Sequence, residues 1–254
     1  MRVAVKVAYN GQFFHGFARQ PTVPTVEGTI LNILHEKEIL TDPSSFRYSS
    51  RTDKGVSALG NVIAFSTSHD FYDTQKILFQ KYNHLFFYGI QPVDDNFFPR
   101  YARLRQYRYY LPYTTLPKEE LLTILSVFTG EHDFSNFARI EQGKNPVRSI
   151  DNILVTENKS FIIIDFFAQT FLWHQLRRII GAVLSLAQGK HSYEDITQAL
   201  VQPKQPLDLG MASACNLVLY DVVYDFSFDI SSERKKTLKK FERQLISQML
   251  SPKL

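Results

Sequence analysis

The chain has 254 residues, 44% of them hydrophobic, which suffices for one large domain or two small ones with their own cores. Its apolar residues occur in short runs and its first ten residues alternate, so we expect a soluble, cytoplasmic protein without a membrane span. The single cysteine, Cys215, excludes an internal disulfide and a cysteine-cluster metal site. A net charge of +4 is compatible with nucleic-acid binding but does not establish it.

The first half of the chain predicts an irregular alternation of strands and helices. Residues 2–9 alternate, with Val3, Val5 and Val7 on one side, which is typical of a strand. Residues 26–40 place Val26 and Ile30 on one helical face. Further strands are predicted at 46–49, 61–67 and 85–90, and a further helix at 73–84.

A second series of elements begins near residue 101. Residues 101–111 alternate, so that Arg103, Arg105, Tyr107 and Tyr109 project to one side of a long strand. The remaining predicted elements are a helix between Pro117 and Gly130, strands at 148–156, 161–169 and 217–226, helices at 171–188 and 232–250, and a short helix capped by Ser192. This pattern predicts an α+β fold with two α+β domains, residues 1–103 and 104–254.

Arginine is concentrated beside tyrosine in several segments, notably 47–51 and 100–109. Arginine supplies phosphate contacts and aromatic rings supply stacking, so the mixture suits looped or single-stranded RNA. Solvated strand faces over a tyrosine-rich core would explain it equally well.

Residues 49–60, SSRTDKGVSALG, form the most unusual segment. Asp53 lies between Arg51 and Lys54 in a glycine-containing loop between two strands. A nearby arginine favours an ionised carboxylate, which suits a nucleophile or an electrostatic stabiliser. A surface turn in which Asp53 caps backbone amides is the alternative.

The segment resembles the Arg-Thr-Asp-x-Gly-Val signature of the tRNA pseudouridine synthase A (TruA) family, in which the aspartate is catalytic. Five other blocks resemble the same family in order. They are Tyr9 to Glu27, Gln106 to Tyr109, His132 to Arg148, Phe171 to Lys190 and Asn216 to Tyr224. The resemblance therefore spans both halves and leaves out only the C-terminal tail.

Some positions depart from the family pattern. Ser57 stands where many members have histidine, residues 16–19 replace a common Gly-Trp-Gln, Trp173 takes a basic or polar position, and Asn216 replaces the usual glycine. Asparagine can adopt a left-handed backbone conformation if that loop requires one. None of these departures removes a residue needed for catalysis.

The resemblance implies RNA-recognition-like (ferredoxin-like) halves with a mainly antiparallel central sheet flanked by helices, and an active-site cleft between them. It implies isomerisation of uridine to pseudouridine in tRNA, typically at uridines 38 to 40 of the anticodon stem-loop, by a homodimer. Breaking the glycosidic bond and rejoining the base through C5 involves no redox change, so no cofactor or metal is expected.

The resemblance also implies a role for each site residue. Asp53 is the catalytic carboxylate, which attacks or assists glycal formation. Arg51 fills the space left by the flipped uridine, or pairs with Asp53. Tyr107 stacks on the target base, Arg177 pairs with the aspartate, and Leu217 closes the uracil pocket.

Two alternatives stay open. A non-catalytic RNA-binding module explains the arginines and tyrosines but not the position of Asp53. A metal-dependent phosphoesterase could be assembled from acids and histidines, although their spacing matches no established ligand motif. The residues concerned are Asp53, His69, Asp70, His132 and Asp133.

Overall fold

A computed structural model describes residues 1–112, 116–158 and 161–250. It divides into two compact units, Met1–Arg103 with Val218–Leu254, and Leu104–Leu217. The sequence-based division places residues 218–254 in the second domain, whereas in the structure residues 218–250 pack with the first unit. The reason is long-range pairing, because Val218 lies beside Ser57 in a parallel register.

In the described part of the chain, the first unit is built on a sheet of five strands. They are β1 (Arg2–Tyr9), β2 (Arg47–Tyr48), β3 (Ser57–Ser66), β4 (Leu85–Val93) and β10 (Leu217–Val223), whose first residue belongs to the second unit. Strand β1 pairs antiparallel with both β3 and β4, β2 pairs antiparallel with β3, and β10 runs parallel to β3. The sheet is therefore mostly antiparallel.

Every residue of β1 is buried, on both faces of the sheet. The apolar face carries the predicted valines. On the polar face, Arg2 donates to the Phe97 and Ser45 carbonyls at 3.1 and 3.0 Å, and Lys6 donates to Asp221 and lies under the Phe228 ring. A polar strand face can be buried here because each cation has hydrogen-bond partners.

Among the described residues, the first unit contains three α-helices: α1 (Val26–Glu36), α2 (Phe71–Leu78) and α6 (Ser232–Leu250). The hydroxyl of Thr25 accepts from Gly28 at 3.2 Å and caps α1, and Asp70 caps α2 in the same way. Helix α1 ends before residue 40 because Glu38 has a positive φ of 55°.

Where the structure describes it, the second unit contains a three-stranded antiparallel sheet, a two-stranded ribbon and three α-helices. The sheet has the order β5 (Leu104–Pro112), β9 (Phe161–Ala168), β8 (Asn152–Asn158), and the ribbon pairs β6 (Gly130–Asp133) with β7 (Val147–Ile150). The helices are α3 (Lys118–Ser126), α4 (Gln175–Ala187) and α5 (Tyr193–Val201). This confirms the predicted mixed α+β class with a mainly antiparallel sheet flanked by helices.

Several predicted boundaries are wrong. The predicted strand 148–156 is interrupted at Asp151, whose N–H donates to the Phe167 carbonyl at 2.8 Å while the chain changes from one sheet to the other. The predicted helix 171–188 begins only at Gln175, because His174 has a left-handed backbone with φ 64°. Strand β3 begins at Ser57, four residues before the predicted start, since pairing with β1 and β10 extends it.

Within the described ranges, no helix is both long enough and apolar enough to cross a bilayer.

Candidate active site

Asp53 opens a tight turn between β2 and β3. The Val56 N–H donates to the main-chain carbonyl of Asp53 at 3.1 Å, and Gly55 has a φ of 86°. A positive φ at the third position identifies a type II turn, for which glycine is the favoured residue. The Asp53 side chain is half-buried, while Lys54 next to it is exposed. The carboxylate is therefore presented at the start of a turn whose backbone is held by its own hydrogen bond.

Two glycines from the loop after β1 press against this turn. A Cβ on Gly11 would lie 2.1 Å from the Val56 carbonyl oxygen, so only a glycine fits there. Gly16, with a φ of 97°, approaches the other side, where a Cβ would lie 3.3 Å from the Thr52 carbonyl oxygen. The Phe17 N–H donates to that same oxygen at 3.0 Å. The backbone of the Asp53 turn is thus in direct contact with the backbone of the loop that follows β1.

A buried hydrogen-bond network lies beneath the turn. The hydroxyls of Tyr9 and Thr52 are 2.8 Å apart, and the Asn61 amide donates to the Tyr9 hydroxyl at 3.2 Å and to the Ser50 carbonyl at 3.0 Å. The hydroxyl of Ser57 accepts from the Gly11 N–H at 3.0 Å. A buried network in which every polar group has a partner favours a single conformation. The network therefore also restrains the residues that precede Asp53.

Arg51 is exposed and lies along Tyr48. Its Nε donates to the Tyr48 hydroxyl at 2.8 Å, and its guanidinium carbon is 5.7 Å from the centre of that ring. The Phe17 ring supports the same tyrosine, with ring centres 4.8 Å apart. A cation is therefore held at the surface, two residues before Asp53.

In the second unit, Tyr107 projects from β5 with its side chain buried. Its ring meets Phe171 edge-on, with centres 5.3 Å apart and an interplanar angle of 87°. Phe171 belongs to the loop that precedes α4, because the left-handed His174 delays the helix. Tyr107 is thus oriented by a residue that the sequence pattern had assigned to the helix.

Arg177, in the first turn of α4, is bound to the segment that precedes β10. Its Nε donates to the Ala212 carbonyl at 3.0 Å, and its own carbonyl accepts from the Ala212 N–H at 2.8 Å. Gly181, one turn further along, permits this contact, since a Cβ there would meet the Gly210 carbonyl carbon at 2.6 Å. A glycine inside a helical pattern is a signal for such a close approach.

The same region brings the end of β5 near Arg177 and Leu217. Burial raises the pKa of Tyr109 to about 12, and the nearby Arg177 charge opposes that rise. The Asn216 amide donates to the Tyr110 carbonyl at 2.8 Å, and Leu217 follows with its side chain buried. Asn216 does not have a positive φ, so this loop does not require a left-handed backbone at the position. The side chain of Asn216 stabilises the loop instead, through its hydrogen bond to Tyr110.

The predicted site residues fall into two groups. Arg51 and Asp53 belong to the first unit, and Tyr107, Arg177 and Leu217 to the second. The cleft expected between the halves stays a prediction. The sequence patterns did not predict three supporting contacts. These are the hydrogen bonds of Asn61 beneath the Asp53 turn, the packing of the loop residue Phe171 on Tyr107, and the close approach of Gly210 to Gly181.

Three residues of the metal-dependent alternative, Asp70, His132 and Asp133, have hydrogen-bond partners in the part of the chain that the structure describes. Asp70 caps α2, Asp133 accepts from the Ser135 N–H and hydroxyl, and a His132 ring nitrogen lies 3.0 Å from the Thr129 carbonyl. Across the described ranges, no group of three or more His, Cys, Asp or Glu side chains is arranged to hold a metal ion.

The sequence of the chain is similar to those of known enzymes that act on tRNA. A family model described as tRNA pseudouridine synthase matches residues 124–225. The chain is 37% identical over 250 residues to tRNA pseudouridine synthase A of Pyrococcus furiosus, covering 98% of this chain and 92% of that protein. It is 39% identical over 225 residues to tRNA pseudouridine synthase A of Thermococcus sibiricus, covering 87% and 84%.

Similarity at this level over almost the whole length shows the family. The chain belongs to the tRNA pseudouridine synthase A family. Among solved structures, a crystal structure of a Cbf5-Nop10-Gar1 complex aligns with 84% of this chain and 47% of the matched chain, at 13% identity and a TM-score of 0.38. That structural likeness is too low to support a conclusion.

Proposed function

We propose that the protein isomerises uridine to pseudouridine in tRNA, at uridines of the anticodon stem-loop, with Asp53 as the catalytic carboxylate. The observation that carries the proposal is the fixation of the Asp53 turn in a member of this family. Gly11 and Gly16 pack on its backbone, and a buried network supports it. A catalytic side chain whose backbone is held in place before the substrate binds needs less reorganisation during the reaction.

The reaction needs few groups. A carboxylate beside the sugar–base junction either attacks or removes a ribose proton, and a base later takes the C5 proton. Asp53 supplies the first function. The side chain of Tyr107, held edge-on by Phe171, stacks on the uracil and lies near its C5 proton. No redox step occurs, so the chemistry requires neither a cofactor nor a metal.

The remaining site residues bind and position the nucleotide. Arg177 pairs with the aspartate, and its bond to Ala212 limits the conformations that it samples. Leu217 closes the other side of the uracil pocket. Arg51, exposed beside the turn, enters the RNA where the target base has left the stack. A homodimer and a cytoplasmic location complete the proposal, and light scattering of the purified protein tests the first of these.

The decisive experiment compares two aspartate variants. Unmodified tRNA transcript is incubated with wild type, Asp53→Asn or Asp225→Asn in EDTA, and pseudouridine is mapped by carbodiimide treatment and primer extension. Asp225 is the matched control, because its side chain is 90% exposed and carries only a surface ion pair with Arg103. We expect modification of the anticodon stem-loop by wild type and Asp225→Asn only.

Each other result contradicts a distinct part of the proposal. Normal modification by Asp53→Asn would remove this residue from the mechanism. Modification only outside the anticodon stem-loop would overturn the proposed position. Binding of tRNA without any product would favour the non-catalytic RNA-binding module, and RNA cleavage that EDTA abolishes would favour the metal-dependent alternative.

A further inference from the structure

Helix α6, which lies outside the blocks that resemble the family, has one face fixed to the first unit. Leu245 is buried, and the Arg234 guanidinium carbon lies 4.5 Å from the centre of the Phe79 ring and 5.3 Å from that of Phe86. At the other end of the helix, the side-chain amide of Asn10 donates to the side-chain oxygen Oε1 of Gln248 at 2.7 Å. The rotation of α6 about its axis is therefore set at both ends.

The opposite face of α6 carries a strip of positive charge. Its members are all exposed: Lys235, Lys236, Lys239, Lys240 and Arg243. Successive helical residues turn by about 100°, so these five side chains fall within an arc of roughly 140°. We call them the cationic strip. The strip carries five positive charges, whereas the formal net charge of the whole chain is +4.

The cationic strip is connected to the catalytic turn within the same unit. Gln248 binds Asn10, and the next residue, Gly11, packs on the backbone of Val56 at the end of the Asp53 turn. With a rise of about 1.5 Å per residue, Arg243 lies roughly 8 Å along the helix axis from Gln248, and Lys235 roughly 20 Å. The strip thus extends away from the turn that holds Asp53.

We propose that the cationic strip binds the phosphate backbone of the substrate tRNA beyond the target uridine. This inference rests on the proposed function, because it takes RNA bound at Asp53 as its starting point. RNA that reaches the Asp53 turn carries phosphates outward, and the strip meets them with charges spaced along a rigid helix. Its action is to anchor the RNA and not to take part in the reaction.

The chemistry of the strip favours phosphate over the bases. Four of the five side chains are lysines, which act as point charges on flexible stems and not as planar recognition groups. The strip includes no aromatic ring for base stacking, since Phe241, the aromatic residue of α6, is not among the exposed side chains. Contacts of this type contribute affinity without sequence preference and weaken as salt increases.

The test replaces Lys235, Lys236, Lys239 and Lys240 together by glutamine. Glutamine and lysine have similar helix propensity, so α6 is retained. We measure binding of an unmodified tRNA transcript at several salt concentrations, and steady-state pseudouridine formation. We expect Kd to rise about tenfold or more at low salt, and the slope of log K against log salt to become shallower by about 2. KM rises similarly, while kcat stays near the wild-type value.

Two further variants keep the test decisive. Replacing the same four lysines by arginine preserves the charge and should leave Kd and the salt slope unchanged. The matched control neutralises four exposed lysines outside α6, namely Lys37, Lys76, Lys144 and Lys204. An equal loss of affinity in this control would reduce the effect to net charge and overturn the proposal.

Other results of these experiments would contradict either the role of the cationic strip or the proposed function. An unchanged Kd and salt slope in the glutamine variant would reject tRNA as the partner and leave an acidic protein surface as the alternative occupant. A fall in kcat alone would contradict an anchoring role. If wild type forms no pseudouridine, the proposed function fails, whereas active wild type with an unaffected glutamine variant refutes only the cationic strip.

Discussion

Gly11 lies against the carbonyl group of Val56 so closely that a Cβ would stand 2.1 Å from the oxygen and 2.3 Å from the carbon. Val56 ends the turn that Asp53 begins. Both neighbouring groups are backbone, so neither can rotate aside, and a larger residue must displace the turn itself. The position of the proposed catalytic carboxylate therefore depends on the absence of a side chain elsewhere.

Gly11→Ala should accordingly reduce catalysis more than stability. We expect a destabilisation of about 1–3 kcal/mol from the enforced shift, and a fall in the single-turnover rate of pseudouridine formation of about a hundredfold. Gly143→Ala is the control, because Gly143 has a φ of 75° but no atom within 4 Å of its added Cβ. The control should lose some stability and keep its rate. Equal rates for both variants would contradict this interpretation.

Gly181→Ala should impair catalysis through Arg177. A Cβ at this position would meet Gly210 at 2.6 Å, which pushes away the segment whose Ala212 carbonyl binds Arg177. We expect kcat/KM to fall at least about tenfold, with a stability loss of about 1–3 kcal/mol. Gly189→Ala, at a φ of 66° with open space around it, provides the control. The idea fails if both variants keep wild-type kcat/KM.

Removing Arg108 alone from the Arg108–Asp165 pair should destabilise the protein more than removing both partners. Two hydrogen bonds, of 2.8 and 2.9 Å, join these side chains on neighbouring strands, and Asp165 is buried. Arg108→Met leaves a buried carboxylate and should lower the free energy of unfolding by about 3 kcal/mol in urea denaturation. Adding Asp165→Leu should recover much of that loss. A double variant no more stable than Arg108→Met would show that the charge is not the cause.

Stability should fall at alkaline pH because of Tyr109. Burial raises its folded-state pKa to about 12, against roughly 10 in an unfolded chain. The folded state therefore retains the proton longer, so the contribution is complete below about pH 10 and is lost as pH rises towards about 12. One such group lowers the free energy of unfolding by about 1.3 kcal/mol between about pH 9 and about pH 11.

Tyr109→Phe tests this prediction. The variant should lose stability less steeply over the same pH range, and its tyrosinate absorbance should lack one late-titrating group. The buried Tyr88, whose pKa is also raised by burial, continues to contribute a loss of the same sign. An identical pH dependence in wild type and variant would contradict the assignment to Tyr109.

Local sequence patterns predicted the elements well where burial follows a simple period. Helix α1 buries the expected Val26 and Ile30, and β5 alternates as predicted from Leu104 to Tyr109, with Tyr107 and Tyr109 both buried. The alternation ends there, because Tyr110 and Leu111 are buried as well. Patterns failed where a single backbone conformation intervened. The segment before α4 is apolar enough for a helix, yet His174 is left-handed and separates Phe171 from it. A positive φ in a non-glycine residue has no signature in hydrophobic periodicity.

By itself, the sequence determined the α+β class, the family resemblance and the turn that contains Asp53. Each of these is read from short segments of neighbouring residues, even where the segments are far apart along the chain. Only the tertiary structure decided what supports that turn. The contact of Gly11 with Val56 and the hydrogen bonds of Asn61 to Tyr9 and Ser50 depend on how distant segments pack. The same holds for β10 and α6, whose pairing and packing place them in the first unit and leave the lysines of α6 exposed. Packing distances between remote segments follow from the whole fold, and no local pattern of residues contains them.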